Sequence, residues 1–249
     1  MRALEVVWAL CYRELLRFVR ERSALYATLA RPTLWLLVLG SGMQNAFREQ
    51  TGVGYAAYLL PGVVTMTILF AGLFAGVSTV WDREFGFLKE VLVAPVSRLE
   101  IVLGKLLAGT LVTSAQALIT LLFAPLVGVS LRLDQLANML LIVALTSAGV
   151  VAMALSIAAR MRSFEGFSNF ANLVALPLFF TSGSMYPVRD APALLVPLVY
   201  GNPITYAVDA LRTVALGQGS FSLAQDLSIV GLFTLLMVAL ATLSFKRAY

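Results

Sequence analysis

Hydrophobic positions in this chain come in long, nearly unbroken runs rather than in the short alternations of a soluble fold. Apolar segments of about 20 residues, the length that crosses a hydrocarbon layer ~30 Å thick at ~1.5 Å per helical residue, occupy about 27–46, 56–80, 101–129, 136–159, 167–184 and 227–245. They predict an all-α integral membrane protein with six transmembrane helices. The stretch 191–208 is also uncharged, but it holds Pro192, Pro197 and Pro203, with Pro187 just before it. Backbone groups freed by proline cannot stay unpaired in hydrocarbon, so this stretch is expected to be a broken or re-entrant hairpin packed against the bundle. It lies within an outer segment, 185–219.

Composition agrees with the pattern. Hydrophobic residues make up 60% of the chain, charged residues only 12%, and the mean hydropathy is +0.89, more apolar surface than a soluble domain of this length could hide. With no linker, repeat or low-complexity tract, residues 1–249 are expected to form one domain. The basic residues set an orientation. With the amino terminus in the cytoplasm, fourteen of the eighteen fall on inner segments and only Arg48, Arg132, Arg189 and Arg212 fall outside. This bias predicts a multi-pass protein of the cytoplasmic (inner) membrane with both termini cytoplasmic. The net charge of +5 then reflects topology, not nucleic-acid binding.

Residues 1–23 carry their own pattern. Leu4, Val7, Trp8, Cys11, Leu15 and Phe18 recur at helical spacing, while Arg13, Arg17 and Arg20 form a second stripe at i, i+4 and i+7. Such a helix lies in the membrane interface with its arginines among anionic headgroups. Glu5 interrupts the apolar run and no small-residue cleavage site follows, which argues against a signal peptide.

Candidate chemistry is sparse. The chain has no histidine, so zinc triads and histidine-based catalysis are excluded. Cys11, the single cysteine, allows no internal disulfide. Gly104-Lys105 resembles the end of a phosphate-binding loop, but Leu99 and Leu106 break the pattern. No catalytic residue, metal site or cofactor site is expected in this chain. Gly72 and Gly76 form a G-x-x-x-G pair suited to close helix approach. Every charged residue falls at a span boundary or in a loop, whereas ion-driven transporters generally place an ionisable group near the midplane. Energy for any uphill movement is therefore expected to enter from outside the membrane.

The charged island 81–105 is the natural entry point. It lies between two uncharged runs, Gln50 to Trp81 and Leu106 to Leu131. Phe85, Leu88 and Leu92 line one helical face, and Asp82, Arg83, Glu84, Lys89 and Glu90 supply polar surface. The helix should stop near Ala94-Pro95, since a residue before proline avoids helical geometry. Ser97 and Glu100 then form an S-x-x-E capping box. The island reads as a stiff helix-turn-helix rather than a loose loop.

With Glu84, Gly86, Pro95 and Gly104-Lys105, the island resembles the first cytoplasmic loop of ABC-2 type transporter permeases, the membrane subunits of type V ABC exporters. Ser182 to Val188 (SGSMYPV) and Asn202 to Arg212 resemble the outer part of drug-exporter and nodulation-type members. The resemblance extends over the whole chain. It implies a permease that pairs with a second copy and docks two ATPase subunits, which would bind the ATP and magnesium. Residues 83–96 would be the coupling helix. Arg83, Glu84, Phe85, Gly86, Phe87, Leu88, Lys89, Glu90 and Pro95 would meet the ATPase, and the amino-terminal helix, with Arg13, Arg17 and Arg20, would be the connecting helix. Many relatives carry a small polar residue where this chain has Phe87.

Further expectations concern the outer segment and the pathway. Asn202 should cap a helix begun by Pro203, and Asp209 should pair with Arg212 at i, i+3. Polar residues within spans, Asn45, Thr65, Gln116, Asn169, Asn172 and Ser182 among them, and the aromatic Tyr186 of the outer segment are candidates to line a pathway for a hydrophobic drug-like compound, lipid or glycan. The alternative is an ion-coupled or passive six-span carrier without an ATPase.

Overall fold

A computed structural model describes residues 2–20, 26, 30, 32–43, 54–85, 97–161 and 163–248, and every regular element among them is helical. The order is α1 (Arg2–Arg20), α2 (Pro32–Gly42, with a π turn at Trp35–Leu39), α3 (Tyr55–Glu84) and α4 (Arg98–Leu121). Then come α5 (Leu133–Ala158), α6 (Phe164–Phe180), α7 (Val196–Gly201), α8 (Pro203–Leu216) and α9 (Leu223–Ala248). Four helical stretches are long and apolar enough to cross a membrane: α3, Leu99–Val127, α5 and Leu223–Lys246. The first and fifth expected spans coincide with α2 and with the 17-residue α6, which are shorter.

The bundle is built around α3 and α5. Leu59, Leu60, Val63, Ile68 and Leu69 of α3 share a buried core with Met139, Ile142, Val143 and Val150 of α5. α4 and α9 also pack on α5, α6 leans on α3, and α1 lies along α4. The spaced glycines set the closeness of this packing. A β-carbon at Gly72 would stand 2.7 Å from Val150 Cγ1, and one at Gly76 would stand 2.6 Å from the Phe167 ring. Small residues at those two positions let α3 press against α5 and α6. Outward positions on α9 are large and apolar, among them Leu232, Leu235, Leu236 and Leu243.

The proline-rich stretch 191–208 folds as the short α7, a break at Asn202, and α8. Asn202 Oδ1 accepts the Ile204 N–H at 2.9 Å and Pro203 occupies the first turn, a capped start. Gly217, in the left-handed region at φ 68, ends the helix. α8 is buried along most of its length against α3, α5 and α9. The expected pairing of Asp209 with Arg212 does not form: no ion pair joins them among the described residues. Asp209 instead accepts the Ser220 and Phe221 N–H groups at 2.9 Å where the chain turns into α9. Backbone donors that would otherwise be unpaired take the carboxylate away from its neighbour one turn on.

Candidate functional site

Three consecutive residues at the end of α3 gather four neighbouring helices. Trp81 stacks on Phe164 of α6, with ring centres 5.7 Å apart, and the Arg17 guanidinium of α1 lies 4.9 Å from its ring centre. Asp82 Oδ2 accepts from Lys105 Nζ of α4 at 2.5 Å and from Arg13 Nη2 of α1 at 2.9 Å. Arg83 turns the other way and donates to the Met161 and Ala159 carbonyls at 2.6 and 2.8 Å, beyond the last turn of α5. Carbonyls at a helix C-terminus lack partners within the helix and carry its negative dipole end, so a guanidinium satisfies both.

Glu14 completes the ionic cluster, 2.5 Å from Arg13 and 3.8 Å from Lys105. Among the described residues two cations face two carboxylates, so these four charges balance, and Asp82 and Lys105 are buried. A buried charge is tolerated when it is paired and hydrogen-bonded in this way. The cluster holds α1 against both α3 and α4 at the point where 86–96 connects them. We call this the connector end.

The capping box at the far side of the connector is present: Ser97 Oγ accepts the Glu100 N–H and Glu100 Oε2 accepts the Ser97 N–H. On the near side, Glu84 is exposed and the Phe85 side chain is 81% exposed. Gly86, Phe87, Leu88, Lys89, Glu90 and Pro95 lie outside the described residues, so the expected coupling helix is described only at its Arg83–Phe85 start. Arg13 and Arg17 of the expected connecting helix are committed to the cluster and to Trp81, while Arg20 is exposed.

The opposite end of α3 is also fixed by polar contacts. Tyr58 is 24 residues from Asp82, a rise of about 36 Å along the helix. Its ring lies under the Arg212 guanidinium, 3.9 Å from ring centre to Cζ, and Arg212 Nη2 donates to the Gly183 carbonyl at 3.0 Å. The turn after α6 is pinned from both sides. Tyr55 donates to the Met185 carbonyl, and Asn202 donates to Thr181 Oγ1 and the Leu178 carbonyl. Gly62 allows the close approach, since a β-carbon there would stand 2.7 Å from Ser184 Cβ.

The pathway candidates fall in different places. Thr65 and Ser182 are fully buried and give their hydroxyl hydrogens to the Pro61 and Phe179 carbonyls. Gln116 and Tyr186 are half-buried, and Tyr186 donates to the Phe180 carbonyl. Asn169 and Asn172 are exposed on α6, beside exposed Phe170, Leu173 and Leu176. Asn45 lies outside the described residues.

Comparison with known proteins places this architecture. The chain is 29% identical to Putative transport permease ycf38 of Pyropia yezoensis over 84% of its length and 73% of that relative. It is 27% identical to Nodulation protein J of Rhizobium leguminosarum bv. trifolii over 90% of its length and 86% of the relative. It is 23% identical to the Probable doxorubicin resistance ABC transporter permease protein DrrC of Mycobacterium tuberculosis over 82% and 75%. The model of the ABC-2 type transporter family matches residues 5–216. The chain therefore belongs to the ABC-2 type transporter family and is a multi-pass membrane subunit of an ABC transporter.

Proposed function

We propose that two copies of this chain pair to form the translocation pathway of an ATP-driven exporter. Each copy docks one ATPase subunit through residues 83–96, and the partner binds the ATP and magnesium. The protein sits in the cytoplasmic membrane with both termini inside, and α2 and α6 join the four long spans to give six. The observation that carries this reading is the ionic cluster of Arg13, Glu14, Asp82 and Lys105. It binds the interfacial helix to both spans that flank the connector, so a push on the connector reaches three helices together. Outward movement is supported by the name of one relative, a doxorubicin resistance ABC transporter permease. The cargo is a hydrophobic drug-like compound, a lipid or a glycan.

Asn169 and Asn172 support the paired arrangement. They lie one turn apart on an exposed helix face whose other members are Phe170, Leu173, Leu176 and Phe180. Amides facing lipid tails are costly, so such a face suits a second copy or a wet pathway between copies.

Purification from native membranes tests the reading. A co-purifying ATPase, lost on Phe87→Asp or Leu88→Asp while the permease stays folded, is the expected result. Ion-driven flux in proteoliposomes holding this chain alone would instead establish the carrier alternative.

A further inference from the structure

Arg13, Arg17 and Arg20 of α1 do not share one role. Arg13 is consumed by Glu14 and Asp82. Arg17 and Arg20 make no ion pair among the described residues, and the two carboxylates beside them are already matched by Arg13 and Lys105. Together with Arg13 and Leu16 they line a shallow depression on the outside of α1. Its position along the helix is fixed, since Arg17 is stacked on Trp81.

The rest of α1 indicates what meets this depression. Leu10 and the Val7 carbonyl pack over Gly104 of α4, and Cys11 is buried. A separate face bears Trp8, Tyr12 and Val19, 60%, 53% and 65% exposed. At 3.6 residues per turn, that aromatic face lies about a third of a turn from the arginine row, with Leu16 between them. An exposed Trp and Tyr face suits the acyl boundary, and arginines a third of a turn away then lie level with the headgroups. An acidic protein surface would neutralise the arginines but leave Trp8 and Tyr12 in water.

We propose that Arg17 and Arg20, flanked by Leu16, form a seat for the phosphate of an anionic phospholipid, held against the connector end of the bundle. Arg17 supplies a guanidinium oriented by Trp81 and Arg20 an exposed one, a pair suited to a phosphate diester. The inference needs the membrane but not the ATPase.

The test uses the purified full chain, loaded from phosphatidylcholine vesicles with or without phosphatidylglycerol and analysed by native mass spectrometry. Expected is selective retention of phosphatidylglycerol, falling about fivefold for each arginine removed in Arg17→Gln and Arg20→Gln. Arg189→Gln, an exposed charge beyond α6, should change nothing. Should Arg17→Gln perturb folding through Trp81, Arg20→Gln alone still reports, because Arg20 makes no hydrogen bond or ion pair among the described residues. Equal retention of both lipids, or undiminished phosphatidylglycerol in the double variant, would overturn the proposal. So would competition by soluble glycerol phosphate as effective as the lipid. Loss of a co-purifying ATPase from the double variant with lipid retention unchanged would assign the arginines to a protein partner instead.

Discussion

Lys105 Nζ stands 2.5 Å from Asp82 Oδ2 across 23 residues of sequence, so the two ends of the connector are joined by a buried ion pair. Without Asp82, the buried Lys105 keeps only the longer contact to Glu14 at 3.8 Å among the described residues. Asp82→Ala should cost about 3–5 kcal/mol, seen as a lower Tm in detergent. The double variant Asp82→Leu with Lys105→Leu leaves Arg13 and Glu14 paired and should recover most of the loss. A double variant no more stable than Asp82→Ala would refute a purely pairwise account.

Much of this arrangement was legible in the sequence, and the unread part has a common cause. The positions of the four long spans follow from hydropathy, and the caps at Ser97 and Asn202 follow from local hydrogen-bonding rules, because both depend on neighbours within a few residues. Asp82 meeting Lys105, and Arg83 meeting the end of α5, depend on how helices pack. The sequence shows those charges only as residues flanking spans. The Asp209–Arg212 expectation failed for the same reason: helical spacing made the pair possible, and a turn 11 residues on offered Asp209 better donors.

At the other end, Arg212 covers the Tyr58 ring and is 3% exposed. A planar cation stacks on an aromatic face in a way that a lysine ammonium does not. Arg212→Lys should therefore lower stability by about 1–2 kcal/mol, with Tyr58→Leu comparable. Thermal unfolding of the two single variants and the double should give less than additive losses.

Asp226 is fully buried, and neither carboxylate oxygen has a hydrogen-bond partner among the described residues. An unsatisfied buried polar group detracts from stability, and an apolar replacement of similar volume relieves that burden. Asp226→Leu should leave Tm unchanged or raise it. A fall of several degrees would mean that the carboxylate holds a group of its own.

Burial pushes the Cys11 thiol up from its ordinary value. Because the thiolate is the reactive form, less of it is present at any given pH, and maleimide labelling near pH 8 should be slower than for an exposed cysteine. Asp82→Ala loosens the hold on α1 and should speed labelling. Identical rates in both proteins would show that α1 stays seated without the cluster.

The succession Trp81, Asp82, Arg83 also limits how the end of α3 can move. Neighbouring residues on a helix point about 100° apart, so each of the three is aimed at a different partner. Turning α3 about its axis by one residue would swing the Asp82 carboxylate toward the carbonyls that Arg83 now satisfies, setting negative charge against the negative end of α5. Twisting is opposed by electrostatics, whereas a movement in which α1, α4 and the end of α5 travel with α3 keeps all three contacts matched. A force arriving at the connector thus meets a keyed shaft, which can swing with α1 and α4 but cannot spin free of them.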